Sequence, residues 1–131
     1  MSISVAYWCV FVAALLPYIW IGLAKAGARG YDNRDPRGWM ARQDDPRRQR
    51  AHAAQLNAFE AFPAFAAGVI LADIAGVPDA RIAMVAIVFV TARVAHGLLY
   101  IAGQAMLRSL VWFVGIVCAF ALLIQAALAA D

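Results

Sequence analysis

Residues 50–72 read RAHAAQLNAFEAFPAFAAGVILA, an apolar helical run with Arg50, Asn57 and Glu60 set into it. Arg50, Ala53, Asn57 and Glu60 recur at three- and four-residue spacing, so they share one helix face. The run is long enough for a bilayer, yet it keeps ionisable groups that are costly at bilayer depth and mark function when retained. Pro63, one turn beyond Glu60, withholds a backbone N–H and frees a carbonyl in the same helix.

The rest of the chain places that run. Of 131 residues, 65% are hydrophobic, and the mean hydropathy is +0.73, well beyond a soluble domain of this size. Apolar stretches cover 3–24, 51–75, 82–102 and 110–130. Each approaches the roughly 20 residues that cross a hydrocarbon core about 30 Å thick. Continuous runs of this length satisfy their backbone in lipid only as helices. The expected fold class is therefore all-α and integral to the membrane: one domain, 1–131, with four helices near 3–25, 46–75, 79–102 and 107–130. Ala24-Lys25-Ala26 has the small-residue look of a signal cleavage site. No Lys or Arg precedes the first apolar run, however, so a retained helix is expected.

Net charge is +3, and its distribution says more than its sum. Lys25, Arg29, Arg34, Arg37, Arg42, Arg47, Arg48 and Arg50 all lie in or beside the first connection. The positive-inside rule places the first and third connections in the cytoplasm and both termini outside. Alternation of Arg with Asp, without interleaved aromatics, argues against a nucleic-acid surface. Asp44-Asp45-Pro46 reads as a helix start, with Pro46 at the first position and an aspartate capping it. Residues 31–37 read as a charged, turn-rich segment. Gly76-Val77-Pro78-Asp79 reads as a tight turn with Asp79 capping the third helix, and Gly103-Gln104 as a short return to the fourth. Cys9 and Cys118 fall in apolar runs without metal-ligand spacing and read as small buried hydrophobes.

A second polar face lies on the third helix, where Arg93, His96 and Tyr100 stand at i, i+3 and i+7. Arg93 is too far from the helix end to reach water, and Glu60 is its expected partner inside the protein. His96 reads equally as a hydrogen-bonded core histidine or a pocket residue. With His52 and His96 on different helices, no metal site is expected. Arg108 and Ser109 open the fourth helix, with Trp112 one turn on. By position alone this is a snorkelling arginine beside an interfacial aromatic.

Gln55-Leu56-Asn57-Ala58-Phe59-Glu60-Ala61-Phe62-Pro63 resembles the second-helix signature of the MAPEG family, the membrane-associated proteins in eicosanoid and glutathione metabolism. Arg93-Val94-Ala95-His96 with Tyr100, followed by Arg108-Ser109, resembles the family's third- and fourth-helix positions. Residues 31–37 are similar to those of its bacterial members. The resemblance spans essentially the whole chain. It implies a homotrimer of four-helix subunits in a bacterial inner membrane, with glutathione as co-substrate at each subunit interface near the cytoplasmic face. It further implies transfer to, or reduction of, a hydrophobic electrophile that enters from the surrounding membrane lipids. By this resemblance Arg108 stabilises the glutathione thiolate, while Arg50, Asn57, Glu60, Arg93, His96, Tyr100 and Ser109 bind the co-substrate. Ala53 stands where glutathione-using relatives carry an arginine, and Trp112 where one relative has an aromatic hydroxyl. These departures keep open a non-catalytic alternative: a MAPEG-fold protein that binds lipid or serves a larger membrane complex.

Overall fold

A computed structural model describes residues 1–130. Five helices follow one another: α1 (Ile3–Lys25), α2 (Pro36–Ala41), α3 (Pro46–Ile74), α4 (Asp79–Ile101) and α5 (Ala105–Ala129). All but α2 are long and apolar enough to cross a membrane. Among the described residues there is no strand. α3 and α4 form the centre of the bundle; α1 packs against both from one flank and α5 against both from the other. Large apolar side chains such as Trp8, Phe11, Phe113 and Phe120 point outward. That surface would be a liability in water and suits lipid.

The core is built from aromatics and small residues. Phe65 of α3 and Phe89 of α4 stack with ring centroids 3.8 Å apart, beside Val69, Ile82 and Leu122, all fully enclosed. Ala6, Ala13, Ala72, Ala86 and Ala119 fill the contacts around them and let the helices approach closely. At Gly97 the fit is tight, because a Cβ built there would lie 2.2 Å from Cζ2 of the Trp20 ring. α3 continues through Pro63, whose ring lies on the exposed side.

Polar bonds fasten the two ends of the bundle. At the basic end, Arg48 donates through Nη1 to the Ala24 carbonyl at 2.7 Å and to that of Ala26 at 3.2 Å. Arg50 Nε donates to the Ile101 carbonyl at 2.9 Å. Both arginines thus serve carbonyls at helix C-termini, where the last turn has none of its own donors and carries partial negative charge. At the other end, the Tyr7 hydroxyl donates to Asp73, and the Ile3 N–H donates to Asp79 Oδ2 at 3.2 Å.

Two expectations about helix starts are corrected here. Asp79 is not the cap of α4: Pro78 holds that position with no side-chain cap bond, and the Asp79 carboxylate serves the first turn of α1 instead. The charged first connection also contains a helix. Asp35 accepts from the Gly38 N–H at 2.9 Å, Pro36 opens α2, and Trp39 and Met40 bury themselves against Ala24 and Ala51. This repeats the Asp45-Pro46 start of α3, where Asp45 accepts from the Arg47 N–H at 2.9 Å. α5 starts at Ala105, immediately after a turn made by Gly103 at φ 75°.

Gly97→Ala should cost about 1–3 kcal/mol, as a methyl is forced into the Trp20 ring. Gly22→Ala, where a Cβ meets nothing within 4 Å, should be neutral or slightly stabilising. Thermal unfolding in detergent checks the pair; equal effects would contradict the packing described.

Candidate functional site

The polar residues of α3, α4 and α5 meet near the basic end. Asn57, His96, Tyr100, Arg108, Ser109 and Trp112 line a cleft of about 220 Å³. Each helix contributes the face its periodicity dictates: His96 and Tyr100 are one turn apart on α4, and Arg108 and Trp112 one turn apart on α5. The Arg108 guanidinium lies over the Tyr100 ring, 4.5 Å from its centroid, and the His96 ring meets Tyr100 edge-on at 5.5 Å. Among the described residues, no carboxylate lies within ion-pair distance of Arg108. Its positive charge is held only by an aromatic face, which leaves the guanidinium donors for an anion.

Behind the cleft, Arg93 is 3% exposed. The expected Arg93–Glu60 ion pair is not what holds it. Arg93 Nη2 donates to Asn57 Oδ1 at 2.6 Å, and Asn57 Nδ2 in turn donates to Glu60 Oε2 at 3.4 Å. Glu60 itself is exposed on the outer side of α3. Residues three apart differ by about 60° around a helix, which is enough to turn Asn57 toward α4 and Glu60 away from it. The arrangement is a relay: a buried cation, an amide that satisfies it, and a carboxylate at the surface. An amide in the middle lets a buried charge be hydrogen-bonded without burying a second charge beside it.

Of the residues singled out from the sequence, Asn57, His96, Tyr100, Arg108 and Ser109 therefore come together around one cleft. Arg93 stands behind it and Glu60 beyond Asn57. Arg50 lies apart, committed through Nε to the end of α4, with its guanidinium carbon 3.7 Å from the position of a Cβ on Gly103. Trp112 lines the cleft although it is not among the binding residues expected from sequence. Its place one turn after Arg108, on the same face of α5, is the signal that identifies it.

If Asn57 is the partner of Arg93, Asn57→Ala should destabilise the protein by about 1–3 kcal/mol, the cost of leaving a buried polar group unsatisfied. Glu60→Ala should move stability by no more than about 0.5 kcal/mol, as expected at an exposed position. Denaturation midpoints in detergent decide this, and the reverse order would restore Glu60 as the partner.

The four long helices agree with comparison to known proteins. The MAPEG family model matches residues 5–128, nearly the full chain. No curated protein and no solved structure matches it. From the extent of that family match, together with four membrane-crossing helices, the chain is a multi-pass integral membrane protein and belongs to the MAPEG family.

Proposed function

We propose that this protein is a membrane-embedded, glutathione-dependent transferase with peroxidase-like capacity toward hydrophobic electrophiles, and that Arg108 stabilises the thiolate. The observation that carries the reading is the Arg108 guanidinium, without a carboxylate partner among the described residues, over Tyr100 at the edge of a cleft that also holds Asn57, His96 and Ser109. A thiol reacts as its thiolate, only a few per cent of which is present at neutral pH in a free cysteine. A positioned guanidinium favours that form.

The donor set suits the tripeptide. Glutathione carries two carboxylates, an ammonium and a thiol. Tyr100, Ser109 and Asn57 offer neutral hydrogen bonds, Arg108 a cation, and exposed Glu60 an acid for the ammonium. Arg93 and Arg50 contribute through the frame, one by fixing Asn57 and the other by fixing the end of α4. The cleft of about 220 Å³ falls short of the roughly 300 Å³ at which small-molecule pockets begin. A neighbouring subunit would complete its wall, which favours the homotrimer. The positive-inside rule favours a cytoplasmic site and an inner-membrane location with both termini outside.

In transfer, the thiolate sulfur attacks an electrophilic carbon and forms a C–S bond. A leaving group departs with its electron pair, or the pair of a double bond shifts to the neighbouring atom and takes a proton. With a hydroperoxide, sulfur attacks the terminal oxygen and forms an S–O bond, and the O–O bond breaks. The alkoxide leaves with its electron pair and takes a proton to become the alcohol, so that glutathione is left as a sulfenic acid. A second glutathione then displaces water from the sulfenic acid to give the disulfide.

Conjugation of glutathione to a hydrophobic enone in detergent tests the reading. Arg108→Ala should lower the rate by about 100-fold or more, the usual loss when a preorganised charge-stabilising donor is removed. Arg108→Lys should retain part of the rate. Wild-type protein without turnover would leave the non-catalytic reading, which the presence of Ala53 in place of a family arginine favours, whereas turnover with an unaltered rate in Arg108→Ala would overturn the role of Arg108.

A further inference from the structure

A second polar concavity lies at the same end of the bundle, where the last turn of α1 meets the start of α3 and the end of α4. It is a notch of about 220 Å³ lined by Leu23, Ala26, Asp45, Arg47, Arg48, Ala51 and Ile101. It shares no residue with the Arg108 cleft. Its chemistry is two-sided. Leu23, Ala51 and Ile101 give an apolar floor, while Arg47 and Arg48 supply two guanidinium groups at the rim.

The two arginines have different duties. Arg48 is part of the frame: it donates to the carbonyls of Ala24 and Ala26 and pairs with Asp45 at 3.3 Å. Its charge is largely balanced there. Arg47 is exposed, and among the described residues its guanidinium has no hydrogen bond or ion pair. The notch therefore carries one net positive charge, presented above an apolar floor at the level where the spanning helices end. Lipid headgroups lie at that level, and basic pockets between helix ends take anionic headgroups.

We infer that this notch binds the phosphate headgroup of an anionic phospholipid, with Arg47 meeting the phosphate and the first acyl carbons resting on Leu23 and Ile101. The site is independent of the glutathione reading. Anionic lipid held there touches α1, α3 and α4 together and so joins the three helix ends that Arg48 and Arg50 already fasten.

Native mass spectrometry of the detergent-purified protein tests this, in micelles doped with phosphatidylglycerol or with phosphatidylcholine. Phosphatidylglycerol should be retained in preference. Arg47→Gln should reduce its retention about fivefold, the factor expected for one interfacial arginine. Ala26→Phe, which fills the notch from an exposed position, should reduce it likewise without touching the charge. Arg37→Gln, in the same basic connection but outside the notch, should retain the wild-type preference. Equal retention of the two lipids would overturn the inference. So would equal losses in Arg37→Gln and Arg47→Gln, which would indicate diffuse charge, or displacement by inorganic phosphate at the lipid's own concentration, which would make a soluble phosphate the ligand.

Discussion

A bilayer interior supplies no water to an arginine, and Arg93 lies fully enclosed among four apolar helices. Whatever satisfies it must come from the protein itself. That requirement fixes Asn57 against α4, and with it the rotation of α3. Once α3 is so turned, Glu60 faces outward and Ala54 and Ala58 face α1, next to Leu16 and Trp20. The close packing of Trp20 on Gly97 follows on the same side of the bundle. The Arg93–Asn57 bond thus links the burial of one charge to the placement of the cleft's floor.

Much of this architecture is legible in the sequence because membrane helices obey few rules. Length and hydropathy find the four spans, Pro46 after Asp45 marks the start of α3, and glycines at 76 and 103 mark turns that both need positive φ. The clustering of Asn57, His96, Tyr100, Arg108 and Ser109 is foreshadowed by helical spacing within each segment. What periodicity cannot supply is the angle between faces on different helices. Asn57 and Glu60 lie on one broad face, so spacing alone cannot say which of them meets Arg93. Opposite charge points to Glu60, whereas the packing selects the amide.

Arg50 and α2 show two other limits. Arg50 shares the spacing of Asn57 and Glu60, yet it sits at the helix end where a carbonyl of Ile101 lacks a donor, and that local need captures it. α2 is only six residues long and is stabilised by burying Trp39 and Met40 against Ala24 of α1 and Ala51 of α3. Its charge density reads as loop. The Asp35-Pro36 pair carries the same start signal as Asp45-Pro46 and is the feature that could have revealed it. The two arginines at the basic end, Arg48 and Arg50, fasten α1 and α4 beside the opening from which Arg108 emerges, so the site is built on anchored helix ends.

The central functional claim is that Arg108 stabilises a bound thiolate, and proton release measures it most directly. Glutathione binding is followed by calorimetry at pH 7 in two buffers of different ionisation enthalpy, with Arg108→Ala alongside. A free thiol near a pKa of about 8.5 is almost wholly protonated at that pH. Binding as thiolate should therefore release close to one proton per glutathione, and the release should vanish in the variant. Binding with no proton release in the wild type would contradict a thiolate-stabilising role for Arg108.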